Sequence, residues 1–402
     1  MSKTSNVPQI RFKGFTDAWE QRKLGEVIRL NGRIGFRGYT EKDIVSKNDG
    51  GVLTFSPTNI VDNKLTTNCK NTYITRFKYD ESPEIKIHNG DILFVKTGST
   101  LGKSALVTEL SEDATLNPQV VVMRSNNLNV EFLAAMLVTN SITSQVNSSK
   151  IGGAVPTLTE TRIKDFDVAI PVSETEGKQI GHFFRQLDGL ITLHQRKYNQ
   201  VVNLKKAMLE KMFPKDGKDI PDNRFKGFTD AWGHWELSEV ADRFDNLRIP
   251  ISAADRIPGK TPYYGANGIQ DYVDGYTHDG EFLLVAEDGA NDLEDYPVNY
   301  VKGKIWVNNH AHVIQSKPDI AINSFLMYAI KQLKMSQFIV GGGRAKLNAE
   351  VMMSLPITMP DTKEQLLIGD YFQKIDNLIT LHQRKLQQLK HIKKAMLEKM
   401  FV

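Results

Sequence analysis

The sequence LITLHQRK occurs at residues 190–197 and again at 378–385, and KKAMLEKMF follows seven residues after each copy. Aligned at an offset of 188, residues 173–213 and 361–401 share 23 of 41 positions. Such identity inside one chain indicates a duplication. Apolar residues recur at three- and four-residue steps through both copies, and neither copy has an interior proline. This period predicts one long amphipathic helix in each copy.

The two predicted helices run from Glu174 to Phe213 and from Thr362 to Phe401. Each would be roughly 60 Å long, far longer than the usual globular helix. A helix of this length with a narrow apolar stripe requires a partner helix, and the obvious partner is the other copy. Two copies related by an approximate twofold axis run antiparallel. The predicted seam of this pair consists of apolar residues at equivalent positions of the two helices: Ile180, Phe184, Leu187, Ile191, Ile368, Phe372, Ile375 and Ile379.

A second repeat opens each half of the chain, because RFKGFTDAW occurs unchanged at 11–19 and 224–232. The offset between copies is 213 here and 188 at the helices, so the second intervening region is 25 residues shorter. The repeats predict an internal pseudo-twofold symmetry. They divide the chain into a variable domain over 1–172, a conserved long helix over 173–213, a linker over 214–223, a second variable domain over 224–360 and a second conserved long helix over 361–402.

The variable regions are rich in predicted strands bounded by Gly, Asn, Asp and Pro, such as DILFV at 91–95 and QVVVM at 119–123. Helical patterns interrupt them at Val130 to Gln145 and at Asn323 to Met335. We therefore predict a mixed α/β (α+β) fold for both variable domains, combined with two long antiparallel helices that form a coiled-coil-like spacer.

Composition narrows the class of protein. The 402 residues include 51 Lys and Arg against 47 Asp and Glu, a net charge of +4, so the chain as a whole is only mildly basic. Cys69 is the single cysteine, which excludes an internal disulfide and a four-cysteine zinc site. The chain shows no charged-then-apolar leader and no apolar run near 18 residues. These features predict a soluble, cytoplasmic protein with no membrane contact.

Three short motifs resemble catalytic or metal-binding sites without meeting their requirements. Residues 98–104, GSTLGKS, follow a predicted strand but place three residues between the glycines, where an ATP-binding loop needs four. Asp62 and Glu84 with Lys86 could hold magnesium and activate water as in a nuclease, but the alternating EIKIH at 84–88 favours an ordinary exposed strand. His310 and His312 could share one face of a strand as two metal ligands, and no third ligand is evident in sequence. We therefore predict no catalytic residue and no metal site.

Polar and basic residues of the types that can contact DNA bases and phosphates occur in the predicted loops and at strand ends, and we consider them as candidate DNA contacts. Arg favours guanine, Asn and Gln favour adenine, and Asp or Glu favours cytosine, whereas turn capping explains single Asn and Asp residues about as well. In the first domain the candidates are Arg33, Arg37, Tyr39, Lys96, Thr97, Ser99, Lys103, Asn117 and Gln119. In the second they are Tyr263, Tyr264, Asn267, Glu287, Asp288, Asn291, Asn308, Asn309 and His310, with Arg344 and Lys346 better placed for phosphate.

The repeated RFKGFTDAW opening and the helices LDGLITLHQRK and IDNLITLHQRK resemble the specificity subunit of type I restriction-modification systems. The resemblance covers the whole chain. It implies that the variable domains are two target-recognition domains, each reading one half of a bipartite site in double-stranded DNA. It also implies that the helices set the spacer and dock two methyltransferase subunits. S-adenosylmethionine, ATP and magnesium would belong to those subunits and to the restriction subunits, so no cofactor is expected in this chain.

Within the resemblance the two domains look unlike each other. AEDGAN at 286–291 and WVNNHAHV at 306–313 resemble one branch of recognition domains, whereas GDILFVKTGSTLGKSALV at 90–107 resembles another. We therefore expect an asymmetric recognition sequence. Two other hypotheses stay open on the sequence: a self-sufficient nuclease or ATPase acting on DNA, and a duplicated adaptor that binds proteins and no nucleic acid.

Overall fold

The computed structural model describes residues 6–215, 217–340 and 346–402. The chain divides into two compact units. Unit 1 consists of Met1–His194 with Lys385–Val402, and unit 2 consists of Gln195–Arg384. This division differs from the predicted one, because each unit takes the first part of one long helix together with the last part of the other.

Unit 1 is built around an antiparallel sheet. Its strands are β1 Glu20–Lys23, β2 Ile28–Gly32, β3 Val52–Phe55, β4 Ile60–Val61, β5 Lys64–Leu65, β6 Thr72–Ile74, β7 Ile92–Val95, β8 Ser104–Leu106, β9 Ala114–Leu116, β10 Val120–Ser125 and β11 Asp167–Ile170. The main sheet has the order β2-β10-β7-β8, a second sheet has the order β6-β3-β9, and β1 pairs with β11. The apolar runs that predicted strands at 91–95 and 119–123 form β7 and β10, which are buried in the centre of the main sheet.

The helices of unit 1 differ from prediction in one place. They are α1 Leu24–Val27, α2 Arg76–Asp80, α3 Val130–Met136, α4 Asn140–Ser149 and α5 Glu160–Lys164. The single helix predicted from Val130 to Gln145 is therefore two helices. Thr139 has extended backbone angles and its hydroxyl donates to the carbonyl of Met136, so the chain turns between α3 and α4. The apolar period continues across this break and therefore conceals it.

The exposed strand predicted for EIKIH is wrong. Pro83–Ile85 forms a 3-10 turn with proline at its start, and Ile85 and Ile87 are buried. The proline fixes the backbone angle that such a turn requires. Further 3-10 turns are Gly35–Arg37, Glu41–Asp43, Lys47–Asp49, Pro57–Asn59, Asp245–Leu247, Ala253–Asp255 and Met335–Gln337.

Unit 2 repeats the main sheet of unit 1 and extends it. Its strands are β12 Gly233–Glu236, β13 Ala241–Arg243, β14 Pro258–Gly265, β15 Gly268–Val273, β16 His278–Ala286, β17 Val298–Val307, β18 Ala311–Ser316 and β19 Pro356–Met359. Its short helices are α7 Leu237–Val240, α8 Asn323–Lys331 and α9 Ala349–Met353. The order β13-β18-β16-β17 matches β2-β10-β7-β8, after which β14 and β15 extend the sheet. The pair β12 and β19 matches β1 and β11.

The two long helices are α6, Glu174–Met212, and α10, Thr362–Met400, and each has 39 residues. Both end one residue before the predicted position. In unit 1 the ring of Phe184, near the start of α6, lies 5.8 Å from the ring of Phe401, which follows α10. In unit 2 the ring of Phe372, near the start of α10, lies 6.1 Å from that of Phe213. The start of one helix therefore packs against the end of the other, which confirms the antiparallel pairing.

Equivalent aromatic clusters hold these helix ends in the two cores. In unit 1 the ring of Phe401 contacts those of Trp19 and Phe132 at 5.9 and 5.3 Å. In unit 2 Phe213 contacts Trp232 and Phe325 at 5.8 and 5.6 Å. Aromatic pairs in such geometries stabilise a core beyond the area that they bury. The phenylalanine at the end of each KKAMLEKMF copy therefore has the same packing role in both units.

The repeated RFKGFTDAW opening has a structural role at the start of each long helix. The Arg11 guanidinium donates two 2.7 Å hydrogen bonds to the carboxylate of Glu176, and Arg224 binds Glu364 in the same way at 2.9 and 2.7 Å. Both carboxylates are buried, and such paired bonds are the strong form of an ion pair. Through this ion pair, each copy of the opening holds the first turn of the long helix against its own domain.

The predicted seam residues lie in or at the edge of the two cores. Ile191 and Ile379 are half-buried, and the other six, Ile180, Phe184, Leu187, Ile368, Phe372 and Ile375, are buried. Ile180 and Phe184 belong to the same apolar cluster as Phe132 of the domain and Met400 of α10. The stripe therefore packs on its domain as well as on the other helix.

Candidate nucleic-acid interface

Four loops of unit 1 meet at one edge of the main sheet, which we call loop edge 1: residues 33–39, 96–103, 117–119 and 150–158. The backbone of Lys96 joins three of them, because its N–H donates to the carbonyl of Gln119 at 2.9 Å and its carbonyl accepts from the N–H of Leu158 at 2.8 Å. The N–H of Gly98 donates to the carbonyl of Pro156 at 2.9 Å. The side chain of Asn117 joins the fourth loop by donating to the Tyr39 hydroxyl at 3.4 Å.

The corresponding loops of unit 2 form loop edge 2: residues 264–270, 287–291, 308–310 and the described ends of the glycine loop at 340 and 346–348. Here the N–H of Glu287 donates to the carbonyl of His310 at 2.9 Å, and the carbonyl of Glu287 accepts from the N–H of Leu347 at 2.7 Å. The Asn267 side chain accepts from the N–H of Asn291 at 3.0 Å. Polar side chains from distant parts of the sequence therefore meet at one edge.

The two edges share a backbone frame. Lys96 and Glu287 occupy equivalent positions, since each donates to the strand turn and accepts from the segment after the glycine loop. The turn itself is closed alike, with the Asn117 side chain accepting from the N–H of Gln119 at 2.6 Å and the Asn308 side chain accepting from His310 at 2.8 Å. Bridges between Thr97 and Thr157 and between Asp288 and Lys346 complete the correspondence.

The charges on this shared frame are inverted. On loop edge 1 the Lys96 ammonium donates to the Glu160 carboxylate at 3.0 Å. On loop edge 2 the equivalent residue is Glu287, whose carboxylate accepts from Arg248 at 2.7 Å and lies 3.1 Å from the Lys346 ammonium. The charges of Lys96 and Glu287 are thus each paired with an opposite charge from another part of the same unit.

Loop edge 2 also contains an ionic network around a buried histidine. The Nδ1 atom of His312 lies 2.7 Å from the Asp245 carboxylate, and its Nε2 atom lies 2.9 Å from the carbonyl of Leu347. Burial raises the pKa of Asp245, but hydrogen bonds from His312 and from the N–H of Val313 outweigh it, so the pKa lies below its usual value. Burial likewise raises the pKa of Glu287, and bonds from Arg248 and Lys346 bring it below its usual value.

The candidate DNA contacts differ in how far they reach solvent. Three are buried: Arg33, Tyr263 and Asn308. Ten are half-buried: Arg37, Tyr39, Lys96, Thr97, Asn117, Gln119, Tyr264, Glu287, Asp288 and His310. Six are exposed: Ser99, Lys103, Asn267, Asn291, Asn309 and Lys346. Arg344 lies outside the described residues. The assignment of these residues to DNA stays a prediction.

The buried candidates have bonds inside their own domain. The guanidinium of Arg33 donates to the carbonyl of Leu116 at 2.9 Å and to the Thr115 hydroxyl at 3.1 Å, and burial lowers the pKa of Arg33. Tyr263 bonds the backbone of Ile251 through its hydroxyl. These side chains support the loops that carry the exposed candidates.

Sequence reasoning missed three charged residues that organise the edges: Glu160, Asp245 and Arg248. Glu160 lies 64 positions from its partner Lys96, and Arg248 lies 39 from Glu287. Their signal in the sequence is weak, because pairs this far apart follow no local spacing rule.

The motifs that resembled an ATP-binding loop and a metal site have geometries that differ from those of such sites. Residues 98–104 connect the antiparallel strands β7 and β8, whereas a phosphate-binding loop leads from a strand into a helix. His310 lies in the turn before β18 and contacts Asp288, while His312 lies within β18 and contacts Asp245. The two imidazoles therefore do not face one common site, contrary to the shared strand face considered from the sequence.

A comparison with protein families decides the identity of this fold. The family model described as type I restriction modification DNA specificity domain matches residues 16–203 and 229–391. The chain belongs to this family. Each matched stretch of this type I DNA specificity protein contains most of one variable domain and most of the long helix that follows it.

Relatives and solved structures agree with the family. A putative type I restriction enzyme specificity subunit of Haemophilus influenzae is 44% identical over 129 residues, which are 32% of this chain and 33% of that relative. The putative MjaX specificity subunit of Methanocaldococcus jannaschii is 20% identical, and the alignment covers 98% of this chain and 95% of that one. The crystal structure of a type I S subunit from M. genitalium superposes with a TM-score of 0.71 at 13% identity, covering 98% and 99% of the two chains. That similarity shows the same fold.

The helices were also compared with the requirements of a membrane span. Within the described part of the chain, none combines the length and the apolar character needed to cross a lipid bilayer.

Proposed function

We propose that this chain is the DNA-reading subunit of a type I restriction-modification complex, in which each loop edge reads one half of a bipartite site. The proposal rests on one observation: the two loop edges share the same backbone frame but carry different side chains. Lys96 and Glu287 mark the same position of that frame. A duplicated frame with unlike side chains suits the recognition of two unlike half-sites.

The exposed residues of the two edges predict different base preferences. Loop edge 1 presents Lys103 and Ser99, whereas loop edge 2 presents three asparagines beside Lys346: Asn267, Asn291 and Asn309. Asparagine pairs with adenine through two hydrogen bonds, and lysine favours guanine or phosphate. The recognised sequence is therefore asymmetric.

Modified-base sequencing of a host that carries this chain with its methyltransferase subunit tests the proposal. We expect one methylated motif made of two unlike halves separated by a fixed gap. A control host carries the same genes with this chain interrupted, and it should lack the motif. A motif that persists in the control, or a continuous palindromic motif, would contradict the proposal.

The gap between half-sites is set by the long helices. Inserting one helical turn after Leu193 and one after the equivalent Leu381 preserves the antiparallel register of the pair. Each turn adds about 5.4 Å, more than the 3.4 Å of one base pair, so the gap should lengthen by one or two base pairs while the bases of both halves stay the same. An unchanged gap would defeat this role for the helices.

The long helices also dock two methyltransferase subunits. The same apolar residues are exposed in both units, with Leu190, Leu193 and Ile392 in unit 1 matching Leu378, Leu381 and Leu204 in unit 2. Residues three apart lie on one helix face. An apolar set that occurs twice at equivalent positions suits two copies of one partner.

Charge substitution in this set tests the docking. Leu193→Glu and Leu381→Glu should each remove one methyltransferase subunit from the complex, and the double variant should remove both, as measured by native mass spectrometry. Leu366→Glu is the matched control, because Leu366 is also exposed but its equivalent in α6 is Lys178. Two bound subunits in the double variant would refute this surface.

The chemistry belongs to the partner subunits. Methyl transfer from S-adenosylmethionine and ATP- and magnesium-dependent translocation and cleavage should require added methyltransferase and restriction subunits. The purified chain, incubated with DNA, magnesium, ATP and S-adenosylmethionine, should show no turnover, and turnover should begin when those subunits are added. Turnover by the chain alone would favour the self-sufficient enzyme.

A further inference from the structure

Unit 1 contains a basic cavity away from loop edge 1. Its volume is about 240 Å³, and it lies between the β4–β5 turn, the start of α4 and the last turns of α10. Three lysines and one glutamate line it, together with two asparagines and two aliphatic residues: Lys390, Lys393, Lys394, Glu398, Asn63, Asn140, Val138 and Leu397.

Nearby charges leave the cavity positive. The Lys393 ammonium donates to the Asp188 carboxylate at 2.6 Å, so this lysine is already paired. Lys390 and Lys394 are exposed, and Glu398 is the one acid of the lining. A further ammonium, that of Lys64 on β5, bonds the carbonyl of Asp188 at 3.2 Å and the hydroxyl of Thr192.

Lys64 interacts with two lysines of the cavity. Burial is the largest cause that lowers the pKa of Lys64, and Asp188 and Asp62 oppose it. The ammonium groups of Lys393 and Lys390 lower the pKa further. The ammonium groups of Lys64, Lys390 and Lys393 therefore lie close enough to affect one another, and an anion among them would relieve their repulsion.

Helix α4 adds donors to the same cavity. Its first residue, Asn140, lines the cavity, and the side chain of its N-cap residue, Thr139, accepts no hydrogen bond from the first turn. Helix α4 has 10 residues, and the amides at the start of a helix attract anions. The cavity lies at the start of α4, and the loop at 150–158 follows the end of this helix, which is roughly 15 Å long.

We propose that this cavity binds a phosphate group. The cavity is smaller than the roughly 300–1,000 Å³ pockets that enclose drug-sized ligands, so it suits one phosphate group better than a whole nucleotide. The group comes from the backbone of bound DNA or from free phosphate. Unit 2 does not repeat the site, because the position equivalent to Lys390 is Val202.

The test uses the full chain with Lys390→Gln and Lys394→Gln. Lys393 stays in place because its bond to Asp188 joins α6 and α10 within the unit. The double variant Lys197→Gln with Lys206→Gln is the control, because it removes the same charge from exposed positions of α6 outside the cavity. Replacement of Lys390 and Lys394 by arginine retains the charge and should retain binding.

The first arm measures thermal unfolding in phosphate and in chloride at equal ionic strength. A ligand that binds only the folded chain raises its melting temperature. With free phosphate as the ligand, we expect the melting temperature of the wild type, the control and the arginine variant to rise by at least about 2 °C. The glutamine variant should lose this rise while melting as the wild type does in chloride.

The second arm measures DNA affinity of the assembled complex against salt concentration, and it rests on the proposed function. DNA phosphate as the ligand predicts that the glutamine variant weakens binding to cognate and unrelated duplexes alike. The slope of log affinity against log salt should fall by about 0.9 for one lost phosphate contact. A wild-type complex that methylates no two-part motif would instead indicate failure of the proposed function.

Two results would overturn the phosphate site. One is a glutamine variant that matches the control in both arms. The other is a variant that loses methyltransferase subunits while both phosphate measurements stay unchanged, because the cavity would then receive a carboxylate of the partner protein.

Discussion

Unit 1 and unit 2 are most alike where the sequence repeats and least alike at the loop edges. The Arg11–Glu176 and Arg224–Glu364 pairs have nearly the same distances, and the same four aromatic positions surround the helix ends. At the loop edges the backbone bonds persist while the charges invert. The comparison teaches that the duplicated part holds the helices, and that the divergent part is free to change its side chains on a preserved frame.

The size difference between the halves also lies in one place. The offset between equivalent residues is 213 at the openings and 191 at Lys96 and Glu287. Thus 22 of the 25 missing residues of unit 2 fall between the start of the main sheet and its central strand. This segment forms strands β3 and β6 of the additional sheet and the β4–β5 hairpin in unit 1, and the extension β14-β15 in unit 2.

The largest effect is expected from cutting the chain after residue 215. The fragment 1–215 lacks the end of α10 but retains the equivalent end of α6, which carries the same KKAMLEKMF sequence. Two copies should therefore pair, with Asp188 of one bonding Lys205 of the other in place of Lys393. Sedimentation velocity should give twice the fragment mass, and fragment 1–194 should not dimerise. A folded monomer of 1–215 would contradict the equivalence of the ends of α6 and α10.

Removal of one aromatic ring should destabilise one unit only. Phe401→Ala and Phe213→Ala each open a cavity in a buried cluster and should cost about 3–5 kcal/mol. Hydrogen exchange should rise in unit 1 peptides for Phe401→Ala and in unit 2 peptides for Phe213→Ala. Equal changes in both units for either variant would show that the cores are not separate.

Acid should weaken loop edge 2 through its carboxylates. The pKa values of Asp245 and Glu287 lie below their usual values in the folded chain. Their contribution is therefore complete above the unfolded-state pKa, near 4, and is lost as pH falls through the lower folded-state values. Hydrogen bonds to charged groups contribute about 1.5–3 kcal/mol.

Urea unfolding between pH 6 and pH 3 measures this loss, and Asp245→Asn should flatten the pH dependence. Glu20→Gln is the control, since Glu20 pairs with Arg22 on the surface of β1. A pH dependence that Asp245→Asn leaves unchanged would disprove the role of this network.

The smallest expected effect is a difference in stability between variants of two equivalent ion pairs. Lys393 bonds Asp188 in unit 1 and Lys205 bonds Asp376 in unit 2, both at 2.6 Å. Partly exposed pairs of this kind contribute up to about 1 kcal/mol. Asp376 also accepts from the Tyr328 hydroxyl at 2.6 Å, so Asp376→Asn should cost more than Asp188→Asn in denaturant unfolding. Equal costs would mean that the tyrosine bond contributes nothing.

The long helices were predictable to within one residue because identity and apolar period extend over 41 positions. Their antiparallel order also followed from the duplication. The grouping of candidate residues into two edges could be predicted in part, since strand ends mark loops. The pairing of Lys96 with Glu160 and of Arg248 with Glu287 could not, because it depends on which strands are neighbours. The break before α4 was hidden by the continued apolar period.

The central claim is that two unlike edges on a duplicated frame act independently. The most direct test replaces residues 28–172 with the corresponding domain of another family member and sequences modified bases in the host. We predict that one half of the methylated motif changes while the other half and the gap stay the same. A change in both halves would contradict the claim.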